Sequence, residues 1–341
     1  MPKVSVVILN WNGKNYLRNC LQSLKKVTYS PLEIIVVDNN SSDGSQEYIE
    51  KHYPNVHLIK NKKNYGFAKA NNIGFKASSG EYVVILNNDT IVTPGFLKAC
   101  LHDFRDKTQI ACVQPQMRLL EKKNLLDGVG AFLTSTGFLY HFGYLKKITH
   151  VIYNSKINIF SAKGACMLLR RSVIEKIGLF DDDFFIFFEE TDLCFRIWLA
   201  GYSVLYEPKS IVYHMGGGDT ISSNSYQYER RLYLSLRNML CSYLKNFGTR
   251  NLATIFPVLV FLQVGLAFFY ACTLRLRLLL VIIKAFWWNI KNLKKTLKKR
   301  FVIQHSIRTI SDSMLNKKII RNPRYIYYYH LLTGSVHAYK E

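Results

Sequence analysis

Acidic side chains all but disappear from the last third of this chain. Residues 225–341 hold 3 Asp and Glu against 20 Lys and Arg, and so carry +17 of a formal net charge of +23. A basic block of this kind points to arrays of phosphate, either nucleic acid or an anionic membrane surface. Cysteine is sparse and scattered: seven residues, at 20, 100, 112, 166, 194, 241 and 272, without a C-x-x-C pair. That spacing excludes a disulfide framework and a zinc site, and it fits a reducing compartment. No G-x-G-x-x-G follows the first strand-like run, which argues against a dehydrogenase-type dinucleotide fold. The chain opens directly on "KVSVVIL", with no basic, apolar and small-residue leader ahead of it, so the first two thirds are expected on the cytosolic side. Internal repeats and low-complexity linkers are missing as well.

What is present is an alternation of short β-branched runs with helical patterns. The 341 residues are 49% hydrophobic, enough for one large or two modest cores. "VSVVIL" (4–9) is followed by Tyr16, Leu17, Cys20, Leu21 and Leu24 at helical spacing, and then by "EIIVVD" (33–38). "VHLI" (56–59), a helix over 66–77, "YVVIL" (82–86), a helix after Pro94 and "IACVQP" (110–115) continue the series. Sequential β-α units predict an α/β fold with a mostly parallel sheet covered by helices on both faces. Residues 116–165 lose the period and read as strands and loops over a site. "ACMLLRRSVIEKIG" restores it as a strand turning into a helix stopped at Gly178, and from 225 onward the pattern is helical.

Ligands of open parallel sheets bind beyond the carboxyl ends of the strands. Those ends read "LNWNG", "DNNSSDGS" and "NNDT". Asp38 could accept hydrogen bonds from a base or ribose, since an ionised carboxylate only accepts. The plainer reading of this stretch, a turn that caps the next helix, explains Ser42 or Asp43 better than Asp38. Asp89 is a hard oxygen ligand placed for a diphosphate-bound divalent ion; the plainer reading is an Asn-Asp turn. In "FFIFFEETDLCFR", Glu189, Glu190 and Asp192 start a helix, where its dipole favours acid. Three carboxylates behind an apolar wall exceed what a cap needs, and such a wall raises a carboxyl pKa toward that of a useful general base. His214, ahead of three glycines in "IVYHMGGGD", reads from this stretch alone as structural first and as a metal or phosphate contact second.

Six motifs in order, "VSVVILNWNG", "VVDNNSSDGS", "NYGFAKANNIG", "LNNDT", "GACMLLRR" and "FFEETDLCFR", resemble glycosyltransferase family 2, especially its rhamnosyltransferase-like members, over residues 3–245. The resemblance implies a GT-A fold and inverting transfer from a nucleotide-diphosphate sugar with Mg²⁺ or Mn²⁺. By the same resemblance Leu9, Asn10 and Asp38 would hold nucleobase and ribose. Asn40, Gly66, Asn71, Asn72, Asn88 and Asp89 would line the donor site, and Gly164 would flank the acceptor. Asp89 resembles the last residue of a D-x-D motif, His214 the histidine that completes the metal shell, and Glu190 the catalytic base. Asn87 and Glu190 both depart from the family's aspartates, so Glu189 and Asp192 stay open as alternatives for the base. A sugar nucleotidyltransferase would resemble G-x-G-T-R where "LNWNG" stands. A processive polysaccharide synthase would need Q-x-x-R-W and several spanning helices.

The expected domains are 1–224, the nucleotide-sugar-dependent transferase, and 225–341, a basic helical membrane-associated region. Residues 254–274 run 21 without a charge, long enough to cross a bilayer. A single crossing would place the following basic block outside, against the positive-inside tendency. Residues 278–303 read as an amphipathic helix, with Ile290, Leu293, Leu297 and Phe301 on one face and Trp287 and Trp288 at the interface. The expectation is a monotopic or re-entrant anchor on the cytoplasmic face, single-pass being the alternative, with a lipid-linked glycan acceptor implied by the family. A non-catalytic basic adaptor for nucleic acid or membrane ranks last; the cations sit beside apolar runs and tryptophans at membrane spacing, and no nucleic-acid module is recognisable.

Overall fold

The computed structural model describes residues 1–216, 225–332, 335, 338 and 339. Its first half is the alternation expected: β1 (Val4–Asn10), α1 (Lys14–Leu24), β2 (Leu32–Asp38), α2 (Ser45–His52), β3 (His57–Lys60), α3 (Gly66–Ala77) and β4 (Tyr82–Asn87). A short β5 (Thr90–Val92), α4 (Phe96–Asp106) and β6 (Ile110–Leu119) follow. The region without clear period resolves into β7 (Leu126–Gly128), the hairpin β8 (Gly130–Leu133) and β9 (Leu139–Phe142), and β10 (Ile157–Asn158). β11 (Cys166–Arg170), α5 (Arg171–Ile177), α6 (Glu189–Leu199) and β12 (Ser203–His214) complete the sheet.

The strand order is β10-β12-β6-β11-β4-β1-β2-β3, with β5 on β12 and β7 on β6. β1, β2, β3 and β4 pair in parallel, as do β6 and β12, whereas β11 runs antiparallel between β4 and β6. The sheet is therefore mixed, mostly parallel, and of GT-A type. Both faces are covered, which is why its strands read as unbroken apolar runs. Val4, Val6 and Ile8 face α1 and α4, while Val7, Ile35 and Val37 face α3, α5 and α6. Register aligns the strand ends, Asn10 opposite Asp38 and Leu9 opposite Asn87, so their polar residues collect along one edge.

The remainder is helical: α7 (Ser225–Asn246), α8 (Thr249–Cys272), α9 (Leu276–Lys291), α10 (Leu293–Val302), α11 (Asp312–Ile319) and α12 (Ile326–Leu332). The core continues across the boundary expected at residue 224. Leu236, Leu240, Tyr243 and Phe247 of α7 belong to the same apolar cluster as Val7 and Phe195. The buried Lys245 pairs with Asp181 and, at 3.1 Å, with Asp192; Lys299 pairs with Asp181 and Asp183, and Lys295 with Asp183.

The amphipathic helix expected over 278–303 is corrected to two helices. Asn292 turns its side chain back onto the Trp288 carbonyl (2.8 Å) and ends α9 there. Val281, Ile282, Ala285 and Asn289 are buried, and α9 packs on α7 and α8. Trp287 is exposed, but Trp288 lies under the Arg237 guanidinium, 4.6 Å from its centroid. The buried residues of α8, namely Asn251, Ile255, Leu259, Gln263 and Tyr270, recur at helical spacing along its whole length. That stripe lays the helix against the protein body and leaves Phe261, Val264 and Phe268 outward.

Candidate functional site

At the strand ends a run of amides converges on one carboxylate. Asn88 Nδ2 donates to Asn10 Oδ1 (2.8 Å), and Asn10 Nδ2 donates to Asp38 Oδ2 (2.9 Å). Asp38 Oδ1 accepts from the Ser41 amide (2.8 Å) and from Gln46 Nε2 (2.6 Å). Asp38 is wholly buried, so it braces the loop that carries Asn40, which is exposed with a left-handed φ of 64°. The capping reading holds for Asp43, whose carboxylate accepts from the Ser45 and Lys14 amides. Gly13 is required for this closeness, since a Cβ there would fall 2.2 Å from Asn88 Nδ2.

The turn after β4 delivers Asp89 beside β12. Thr90 pairs with His214 across the β5–β12 ladder, and His214 Nε2 lies 3.3 Å from Asp89 Oδ1. On its other side His214 Nδ1 meets Asp127 Oδ2 at 2.8 Å, and Asp127 Oδ1 meets Lys163 Nζ at 2.6 Å. Burial alone would discharge His214, but Asp127 and Asp89 overcome it and carry its pKa up to about 9. Burial would likewise raise Asp127, yet Lys163 and His214 bring it down to about 2. Asp89 Oδ1 is buried, and among the described residues its near polar neighbour is His214 Nε2 at 3.3 Å, a hard oxygen beside an imidazole nitrogen. That donor set fits Mg²⁺ or Mn²⁺ completed by phosphate oxygens. Asp127 would orient His214 from behind, as outer-sphere carboxylates do. Among the described residues no group of three or more His, Cys, Asp or Glu is arranged to hold a metal ion by itself.

The acidic cluster opens α6 and its members separate by surroundings. Glu190 is partly buried; burial pushes it up to about 7, against the pull of backbone amides and of Lys163. Gly164 packs on it, for a Cβ at Gly164 would touch Glu190 Cβ at 3.6 Å. Glu189 is buried, its Oε2 without a partner among the described residues, and burial together with the Glu190 charge holds its pKa well above the ordinary carboxylate range. Asp192 is corrected as a candidate base. It meets Arg196 (3.2 Å), Lys245 (3.1 Å) and Asn246 (2.8 Å). Burial opposes its charge, but Lys245 and Arg196 prevail and keep it below the usual range.

Lys163 thus joins two halves. The contacts run from Asp89 through His214 and Asp127 to Lys163, whose charge acts on Glu190. The amide run from Asp38 ends at Asn88, one residue from Asp89. Asp127 and Lys163 escape sequence reasoning, because β7 is three residues long and has no period to read.

The α3 residues divide. Gly66 (φ 81°) starts the helix where a Cβ would fall 2.4 Å from the Phe185 carbonyl oxygen. Asn71 is buried, and its Oδ1 has no partner among the described residues. Asn72 is corrected from a donor contact to a clamp: both ends of its amide bond Phe180, and its Nδ2 also reaches Asp182 Oδ1 (2.7 Å). Leu9 is partly buried beside the strand ends.

A family model described as glycosyl transferase family 2 matches residues 5–178. The chain is 26% identical over 58% of its length to the low-salt glycan biosynthesis hexosyltransferase Agl10 of Haloferax volcanii, and that match spans 62% of the relative. It is 26% identical over 48% of its length to an Escherichia coli chondroitin synthase, of which it spans 23%. To the N-acetylglucosaminyl-diphospho-decaprenol L-rhamnosyltransferase of Mycobacterium tuberculosis it is 25% identical over 61% of its length, spanning 75% of that protein. In fold it is similar to GalNAc-T7, solved with UDP, GalNAc and Mn²⁺ (TM-score 0.57, 19% identity, 72% of this chain and 48% of that one). It is also similar to the mannosyltransferase PcManGT of Pyrobaculum calidifontis, solved with GDP-Man and Mn²⁺ (TM-score 0.55, 16% identity, 85% and 75%).

Proposed function

The chain belongs to glycosyltransferase family 2, and on that footing we propose that it transfers a hexose or deoxyhexose from a nucleotide-diphosphate sugar to a hydroxyl of a lipid-linked glycan, with inversion. The observation that carries this reading is Glu190, a carboxylate raised to about 7, coupled through Lys163 and Asp127 to the Asp89–His214 pair. In the reaction Glu190 takes the proton of the acceptor hydroxyl as its oxygen bonds to the anomeric carbon. The bond from that carbon to the diphosphate breaks on the opposite face. General-base help of this kind contributes on the order of 10²- to 10⁴-fold. Asp89 and His214, the latter as the imidazole without its Nε2 proton, would hold Mg²⁺ or Mn²⁺, which would supply charge neutralisation to the departing diphosphate.

Asn40 and Asn88, with Leu9 beside them, form the donor's nucleoside end in this reading, held from beneath by the buried Asn10 and Asp38. Gly66 and Asn71 stand by the sugar, and Gly164 stands on the acceptor side of Glu190. Glu189, buried next to Glu190, keeps its own proton, because burial and the Glu190 charge both oppose its ionisation. The relative named for a decaprenol-linked substrate supports the lipid-linked acceptor.

The buried stripe along α8 supports an in-plane or re-entrant anchor on the cytoplasmic face over a single crossing, and Lys291, Lys294 and Lys298 beside it suit anionic lipid. The test is a panel of uridine, thymidine and guanosine diphosphate sugars offered with Mg²⁺ or Mn²⁺. Release of nucleoside diphosphate with one donor is expected. Release of inorganic pyrophosphate instead would make the protein a nucleotidyltransferase.

A further inference from the structure

We propose that Asn238 of α7 is a positioning residue for the transfer: its carboxamide holds the backbone turn that aims Glu190. The proposal rests on the reading of Glu190 as the base. Phe187 and Phe188, which immediately precede the acidic pair, both have left-handed backbones (φ 74° and 70°). For one bulky residue that conformation is an outlier, and two in succession persist only where the surroundings impose it. Phe188 is the residue on which α6 starts, and its carbonyl accepts from the Asp192 amide (2.9 Å). The direction in which Glu190 leaves the helix start is therefore set by those two strained residues.

Asn238 imposes the turn. Its Nδ2 donates to the Ile186 carbonyl (3.1 Å) and to the Phe187 carbonyl (2.7 Å), and the residue is wholly buried. Its Oδ1 accepts from Arg237 Nε (2.9 Å), so the amide cannot flip without losing partners at both ends. α7 is itself fixed at this point. Asn289 Nδ2 donates to the Arg237 carbonyl (3.0 Å), and Arg237 Nη2 donates to the Asp183 carbonyl (3.0 Å). A helix can begin on an unstrained residue, so strain kept directly beside the acidic pair marks a position where aim matters more than local stability.

The test compares Asn238→Ala with the parent, both as full-length protein, by nucleoside diphosphate release. Expected is a fall in kcat of about 10²-fold, the cost of misplacing a reacting group by roughly 1 Å, with donor KM within about twofold. Adding Phe187→Gly should return most of the lost kcat, because glycine takes the left-handed backbone without strain. Should Asn238→Ala fail to fold, Asn238→Ser, which keeps one donor, carries the same comparison. Unchanged kcat in Asn238→Ala overturns the proposal. So does a joint fall of Tm and kcat that Phe187→Gly does not relieve, or failure of both Asn238 variants to fold with or without Phe187→Gly. Glu190→Gln, run alongside, separates the two readings. Normal turnover in that variant defeats the base assignment, while its loss with Asn238→Ala at full activity defeats only the positioning role.

Discussion

Glu190 has its pKa raised by burial from the ordinary 4.5 to about 7, and this makes two measurable demands on pH. In its proposed role as base it must be ionised, so kcat/KM is expected to climb with pH to about 7 and then level. The folded protein also keeps this proton over a range in which the unfolded chain has released it. Stability therefore falls as pH rises from about 4.5 to about 7. Glu190→Gln should lower kcat by about 10²- to 10⁴-fold while raising Tm at pH 8, with the gain fading by pH 4. Thermal melts and nucleotide release across that range check both; a Tm that drops at pH 8 would mean the carboxylate is held by partners after all. The burial of this residue beside a second carboxyl is legible in its neighbours, an acidic trio behind aromatics. The fates of the three are not, because Lys245, which ties down Asp192, lies 53 positions away.

Among the elements, α8 shows how a long apolar helix is anchored at its start. The Asp312 carboxylate, almost fully buried, accepts from the Gly248 amide (3.0 Å) and the Asn251 amide (2.9 Å), and Arg308 neutralises it at 3.0 Å. Negative charge at a helix N-terminus meets the positive end of the dipole. Asp312→Ala should cost about 1–2 kcal/mol for the lost cap, read as a lower denaturation midpoint, with donor affinity unchanged. An unaltered midpoint would show that packing alone seats the helix. The β-α alternation up to residue 115 is legible nearly to the residue, since period-2 and period-3.6 patterns follow from local geometry. β7 to β10 are not legible, because strands of two to four residues owe their existence to distant partners. The break between α9 and α10 is hidden for a related reason: Asn292 ends the helix through a side-chain bond to Trp288 that the apolar spacing does not encode.

For the whole molecule, the outward face of the last helices is both greasy and cationic. Phe261 is 76% and Phe268 71% exposed, and the basic residues of 225–341 are the main source of net charge. Full-length protein is expected to float with vesicles containing anionic lipid, less so at high salt, since each Lys or Arg near such a surface adds about 1 kcal/mol. Phe261→Glu combined with Phe268→Glu should weaken flotation while leaving donor hydrolysis intact. Equal binding to neutral and anionic vesicles would remove charge from the account. A division at residue 224 is legible in composition but absent from packing, because charge bias does not reveal the face that Tyr243 and Phe247 of α7 contribute to the common core.

The grip of Lys245, Lys295 and Lys299 on Asp181 and Asp183 makes the tail and the acidic turn a matched set. A graft that imports another enzyme's tail without that enzyme's own turn would leave two carboxylates facing a foreign surface. Within such a lineage, tails can be exchanged only together with the segment that leads into α6.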